Sequence, residues 1–523
     1  MSFHPNSLLP SMPATLGGIK MDLSSLSWNH WLFLTLTFCF IYKWFLKRHP
    51  LDHIPTIGYS SQFFSFFSVV RWIWAGKEIV LEGYAKYPDR AFKVPTLEGW
   101  LVIVNGPKLV DDIRKASEEY ISFTRSISGF FQFDYTFGPQ VSRDPYHIHI
   151  LRSQLARNVE PCFEDIKEEM VLAFDKAVPC PISSQGEEWV TLPAYDTSLE
   201  IVSKISARFF VGLPLCRNEE YRLLCVQATM EIVKSRILNF MPVFLRPLGG
   251  RIFTNIHGTV ERTKTLMGPL VEERLEQERL HGRDWPGKPN DLLSWLLDGH
   301  PRPEERTVHD LAVRTLLVTF ASIHTTSQAF THALYDLATK PEYIQPMREE
   351  IEALVENQGW TKNTVSKMYK VDSFLRESQR FDGMAVVSLG RKVLKDFTLS
   401  DGTCIPAGSS LSANSWSVHH DEAHYANAHV FDGFRFVREG GVKQPLMAIP
   451  TLDYMAFGHG RPTCPGRFFA VTELKSMLAH VVLNYDVKLE NGGPRPANMF
   501  IESSVVPDRN GRVMFRRRGA TAA

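Results

Sequence analysis

FGHGRPTCPGRFFAVTELKSMLAHVVL, residues 457–483, sets one cysteine among three glycines and then runs into an apolar stretch with helical period. Its opening, GHGRPT, begins like a dinucleotide-binding loop. The third glycine is missing and no strand precedes it, so that reading fails. Gly458, Gly460 and Gly466 let the backbone fold tightly around Cys464, and the helix predicted just after places the sulfur near a helix N-terminus. That placement favours a thiolate, the form in which sulfur binds a metal or acts as a nucleophile. A buried core cysteine is the alternative that the segment alone leaves open.

A second segment carries polar groups where apolar ones would pack better. FASIHTTSQAF, residues 320–330, lies within the longest helical pattern of the chain, from about residue 307 to 339 and stopping before Pro341. Such a helix is roughly 50 Å long at about 1.5 Å per residue and crosses a whole domain. It carries Arg314, His324 and His332, which makes it a central core helix rather than a membrane span. At about 100° per residue, Ala321, Ser322, Thr325 and Thr326 cluster on one side, with His324 about 100° from Thr325. The threonines can bond back to carbonyls one turn earlier and loosen the helix there. Nearby in sequence, LRESQR puts Glu377 and Arg380 three apart on one helix face, a spacing that alone usually means a solvated pair. VHHDEAHYANAH, residues 418–429, is rich in histidine but matches no zinc spacing.

The whole chain sets wider bounds. Its 523 residues, 44% hydrophobic and 22% charged, are ample for a self-sufficient core. The 58 basic and 57 acidic side chains nearly cancel, so no global field points to nucleic acid. Seven scattered cysteines without a CxxC pair argue against a disulfide framework or zinc ribbon and for a reducing compartment. Beyond residue 60 there is no repeat and no low-complexity tract. Helical periodicity dominates from 145 to 346, with breaks at 213–220 and 281–291. Strand-like pieces occur at 100–106, 391–408 and 486–493, the last two with Asp-Gly or Asn-Gly turns that suggest hairpins.

The N-terminus departs from this profile. SWNHWLFLTLTFCFIYKWFL, residues 27–46, has one charge and aromatics at both ends, as a transmembrane helix requires. Lys43, Lys47 and Arg48 place the body in the cytosol by the positive-inside bias. The expected organisation is a lumenal segment over 1–26, the anchor over 27–46, a proline-rich hinge over 47–58 and a catalytic domain over 59–523. A cleaved signal peptide is the competing reading, but no small-residue cleavage site follows.

The cysteine segment resembles the haem-binding loop of the cytochrome P450 family: aromatic, Gly, x, Gly, a basic residue, Cys, x, Gly. FDGFRF (431–436) and the Glu377/Arg380 pair recur in the order that family shows. The resemblance implies a mainly α cytochrome P450 fold with small peripheral sheets and a long central helix. It implies haem b, with Cys464 as axial ligand of the iron and Phe457, Gly458 and Gly466 shaping the loop. Arg461, Arg391 and, on the helix over 146–158, Arg152 or else Arg157 are the implied partners of the haem propionates. Pro462 stands where the family carries its usual basic residue, and the tryptophan usual near Arg152 is missing. Glu377, Arg380 and Arg435 would form a buried ionic network. In FASIHTTS the family's alcohol is kept as Thr325, followed by Thr326, but Ser322 replaces a glycine and His324 replaces an acid. His324 is then the candidate proton relay.

The implied reaction is hydroxylation with dioxygen and electrons from NADPH. No flavin or nicotinamide site is visible, so an NADPH-cytochrome P450 reductase in the endoplasmic reticulum membrane is the expected partner, with Arg438, Lys443 and Arg467 as docking residues. The aromatic stretch 128–139, Ala321, Thr325, Met384 to Val387, Val505 and Val506 suggest an apolar pocket. The motifs look most like fungal terpenoid oxidases of secondary metabolism, which makes a terpenoid, for instance a diterpene, the expected substrate. A haem-thiolate isomerase and a non-catalytic haem sensor are the alternatives; Thr325 speaks against the first, and the anchor together with the apolar pocket against the second.

Overall fold

A computed structural model describes Thr35 and residues 49–519, apart from 61–63, 181–187, 301, 303–305 and 438–444. The expected lumenal segment and membrane anchor, 1–46, lie outside the described residues but for Thr35, as do Arg438 and Lys443. Among the described residues, no helix is long and apolar enough to cross a membrane.

The helices that build the interior are α1 (Ser65–Lys86), α2 (Phe123–Phe130), α3 (Ala194–Val211), α4 (Val308–Thr339), α5 (Tyr369–Phe381) and α6 (Arg467–Asn484). Helix α4 starts where the sequence predicts, because the Thr307 hydroxyl accepts from the Asp310 N–H at 3.2 Å and caps it. It stops at Thr339, just before Pro341. Leu311, Leu316, Ile323, Phe330 and Leu334 bury it in the main apolar cluster together with residues of α3 and α6. The predicted breaks also appear: α3 ends at Val211, and a helix over Ile256–His281 ends before the one that starts at Leu292.

The sheets are small and lie at the edges. The largest has five strands in the order β1-β2-β8-β5-β3, from Ala91–Thr96, Gly99–Val104, Ser410–Asn414, Val387–Val393 and Ile121–Ser122. Strands β6 (Phe397–Thr398) and β7 (Cys404–Ile405) form the hairpin predicted around Asp401-Gly402. The Asn491-Gly492 turn closes no hairpin. Strand β9 (Tyr485–Leu489) pairs instead with β12 (Arg512–Arg517), which also pairs with β4 (Val190–Pro193). Strands β10 (Met499–Ile501) and β11 (Ser504–Val506) make a separate ribbon.

Residues 49–58, expected as a hinge, are packed onto this sheet. Leu51, Ile54 and Ile57 are buried, and the Ile57 N–H donates to the Lys93 carbonyl at 3.0 Å. The buried Lys93 ammonium in turn donates to the Leu51 carbonyl at 2.6 Å. Any hinge motion therefore has to break apolar and polar contacts together.

Candidate active site

The cysteine loop is held by its own backbone. The Cys464 N–H donates to the Phe457 carbonyl at 2.9 Å, and the Gly458 N–H to the Met455 carbonyl at 3.0 Å. Gly458 and Gly460 have φ of 69° and 80°, a region that glycine alone enters cheaply. At Gly460 there is a second reason, since a Cβ would stand 2.3 Å from the Arg114 carbonyl oxygen. Gly466 differs: its backbone is helical, with φ −84° and ψ −1°. A Cβ there would stand 3.9 Å from Cys464 Sγ, an ordinary van der Waals contact, so space does not demand glycine at this position.

Helix α6 begins at Arg467, so the sulfur sits close to a helix N-terminus as expected. The expected lowering of its pKa does not follow. Burial pushes the Cys464 thiol up, and the N–H groups of Gly466 and Arg467 only partly oppose it. A thiolate here needs a cation at the sulfur, which a bound metal supplies.

The loop rests on a closed ionic network. Glu377 and Arg380, both fully buried, are joined by two bonds of 2.7 and 2.8 Å, and Arg435 reaches both Glu377 oxygens at 3.1 and 3.2 Å. The Arg380 guanidinium also donates to the carbonyls of Ala428, at 3.0 Å, and His419. His419 Nε2 accepts from the Met455 N–H at 3.2 Å, and Met455 is the residue that holds Gly458. The network and the loop are thus one hydrogen-bonded unit. Two histidines of the 418–429 stretch are thereby held, since beside His419 the ring of His420 contacts the Trp416 and Phe381 carbonyls at 2.9 and 3.1 Å.

Three basic residues were expected to meet propionates, and the structure separates them. Arg391 on β5 is 3% exposed. It donates to the Gly390 and His459 carbonyls at 2.8 and 3.4 Å, and among the described residues no carboxylate forms an ion pair with it. Burial lowers its pKa to about 10. A buried guanidinium without a counter-ion suits an incoming carboxylate. Arg461 and Arg152 are exposed and line, with Arg467, a cleft of about 270 Å³ beside the cysteine loop. Arg152 sits in a π-helical turn, Leu151–Leu155, of the helix that starts at Tyr146. Arg157 does not line that cleft.

On α4, a helix buried along most of its length, Ala321 and Thr325 are nevertheless accessible, so they face an internal space. The Thr325 hydroxyl donates back to the carbonyls of Ala321 at 2.7 Å and Ser322 at 3.1 Å. Thr326, the next residue, is buried. Ser322 and His324 turn toward α3 instead: the two hydroxyls of Ser322 and Ser206 are 3.3 Å apart, and His324 Nδ1 meets the Tyr195 hydroxyl at 3.0 Å. Burial, helped by the charge of Arg509, lowers the His324 pKa to about 4, so its imidazole is neutral at physiological pH.

The aromatic stretch reaches this site. Phe131 and Phe133 meet Phe320 edge-on, with ring centres 5.0 and 6.5 Å apart. Of the residues expected on the β5 side, Ala385 is accessible and Met384 half-buried. Val386 and Val505 point away into a separate cluster with Trp72, as the alternation of an extended chain requires. A cysteine held in a glycine-bounded loop, a buried guanidinium without a counter-ion and an accessible threonine on a buried helix fit a haem held by Cys464.

The sequence matches the cytochrome P450 family over residues 80–515. The chain is a cytochrome P450. Cytochrome P450 monooxygenase 151 of Postia placenta is 40% identical over 483 residues, 91% of this chain and 96% of that protein. A cytochrome P450 monooxygenase of Ganoderma lucidum is 35% identical over 486 residues, 91% and 94% of the two chains. The ent-kaurene oxidase of Fusarium fujikuroi is 31% identical over 515 residues, 96% and 95% of the two. This P450 is accordingly a monooxygenase, and its family implies haem iron. Sequence reading missed Tyr195 as the partner of His324: the two are 129 positions apart, and no local pattern announces the contact.

Proposed function

We propose that this monooxygenase hydroxylates a polycyclic terpenoid in fungal secondary metabolism, with electrons from NADPH delivered by a membrane-bound reductase. The observation that carries the substrate reading is the cluster of Phe131, Phe133 and Phe320, the last on α4 next to the accessible Ala321, a surface suited to a hydrocarbon skeleton. The ent-kaurene oxidase relative supports the same class.

Haem b, bound through Cys464, supplies the oxidising chemistry. The chain's own groups do the rest. Arg391 would hold one propionate, and the Glu377–Arg380–Arg435 unit keeps the cysteine loop in place. Thr325 holds an exchangeable proton on a hydroxyl that faces the internal space. The phenylalanines exclude water from the reacting carbon.

Electrons enter on the cysteine side, where Arg152, Arg461 and Arg467 present positive charge around their cleft to an acidic partner. The protein is held in the endoplasmic reticulum membrane by residues 27–46, with the catalytic domain in the cytosol. An exposed apolar surface supports membrane contact: Phe66, Phe67 and Trp74 at the start of α1, and Phe240, Phe244 and Ile252 beyond α3. These two groups lie on one side, because Arg236 bonds Glu502 at 2.6 Å and the Glu502 N–H bonds the Ile73 carbonyl at 2.9 Å.

The test is turnover by the reductase-reconstituted enzyme of terpenoid hydrocarbons, ent-kaurene among them, beside aromatic and fatty-acid substrates. Hydroxylated terpenoid is the expected product. Turnover of only the other two classes refutes the substrate reading.

A further inference from the structure

His324 stands directly before Thr325 but reaches the other way, and what it reaches is not a dead end. Its Nδ1 is 3.0 Å from the hydroxyl of Tyr195, at the start of α3. The guanidinium of Arg509 lies against the Tyr195 ring, 4.7 Å from its centre, and Arg509 itself is exposed. Tyr195 is 2% exposed, so an exposed guanidinium, a buried phenol and the imidazole of the residue before Thr325 follow one another by contact. The opposite pole of the ring, His324 Nε2, is buried and has no partner among the protein atoms. A buried donor left without an acceptor costs roughly 1–3 kcal/mol.

We propose that Tyr195 and Arg509 form a proton inlet that feeds His324 from the surface behind the central helix. It rests on the monooxygenase reading and supplies the protons that the absent carboxylate would have carried. In the resting arrangement the Tyr195 O–H donates to Nδ1, so the neutral ring carries its hydrogen on Nε2. For each proton delivered, the Nε2–H bond breaks as its proton passes to a water molecule on the Thr325 side, while the Tyr195 O–H bond breaks and its proton passes to Nδ1. The phenolate regains a proton from solvent at the Arg509 edge, and rotation or tautomer exchange of the imidazole restores the start. One proton moves inward and no electron moves. The charge of Arg509 stabilises the transient phenolate, against the burial of the hydroxyl and the charge of Asp196. Tyr195 acts through His324 and is a positioning residue.

The alternative is a plain cross-helix tie, and the neighbouring Ser206–Ser322 contact at 3.3 Å provides its control. Tyr195→Phe, His324→Gln and Ser206→Ala are compared with wild type, as full-length holoenzymes with ent-kaurene as probe, by two routes. Reductase-driven turnover needs delivered protons, whereas turnover with added hydrogen peroxide brings its own. Tyr195→Phe should lower product per NADPH by roughly 10²-fold, the low end for positioned proton transfer, and leave the peroxide route unchanged. Ser206→Ala should change neither route. An equal fall in both routes, or none, in Tyr195→Phe overturns the inlet. A second readout needs no turnover: in 15N-histidine spectra of the carbon-monoxide-bound protein, the signal lost in His324→Gln should show an Nε2–H ring, and Tyr195→Phe should abolish that preference. If ent-kaurene gives no product by either route, the substrate reading fails, and the 15N result decides the inlet by itself, an unchanged tautomer overturning it.

Discussion

The two sides of the interior treat their polar groups in opposite ways. In the network beneath the cysteine loop the charges are paired with one another: Glu377 meets two arginines, and Arg380 is tied through His419 and Met455 back to Gly458. Across from it, on α4, polar groups are only half answered. Thr325 bonds to its own helix and stays accessible, and His324 is satisfied at one nitrogen alone. Saturation on the first side makes a rigid mount for the ligand cysteine. Incomplete satisfaction on the second leaves groups able to exchange protons, which rigid pairing would prevent.

The contrast can be broken from either end. Cys464→Ser should abolish monooxygenase activity and the thiolate-dependent band of the reduced carbon-monoxide spectrum, the largest effect expected. Glu377→Ala leaves a buried arginine without its counter-charge and should cost about 3–5 kcal/mol, read as a lowered denaturation midpoint and loss of bound haem. A variant with normal haem content would show that the network does not support the loop. Thr325→Ala should leave stability and haem content nearly unchanged while coupling of NADPH use to product falls, by on the order of 10²-fold. Thr307→Ala, at the far end of the same helix, removes only a cap and should cost about 1 kcal/mol with coupling intact.

The smallest effect concerns pH. His324 titrates near 4 in the folded chain against 6.5 in the unfolded one, so the unfolded chain binds more protons between those values. Its contribution is complete above pH 6.5 and is lost as pH falls toward 4. Chemical denaturation across that window should show a shallower fall in His324→Gln than in wild type. Buried His419 and His332, each lowered to about 3, act in the same direction and remain in the variant.

How much of this was legible beforehand follows the range of the interactions. Helix α4 could be read to within a residue, because its cap, its period and the proline after it are all local. The cysteine loop was legible because positive-φ glycines at fixed spacing leave a pattern. The Asn491-Gly492 turn misled, since a turn sequence does not say which strand lies opposite, and the partner of β9 comes more than twenty residues later. The sulfur's pKa was misjudged from the helix terminus alone, because burial depends on the whole fold. Tyr195, Arg509 and the separation of Arg391 from Arg152 and Arg461 are long-range facts that one sequence does not display.

The most direct test is turnover under isotopically heavy dioxygen. The full-length enzyme, its reductase and NADPH are supplied with a terpenoid hydrocarbon, and the product is analysed by mass. One heavy oxygen atom in each hydroxylated product, absent without NADPH and absent in Cys464→Ser, is the expected result. A product without heavy oxygen, or one formed equally without NADPH, would contradict it.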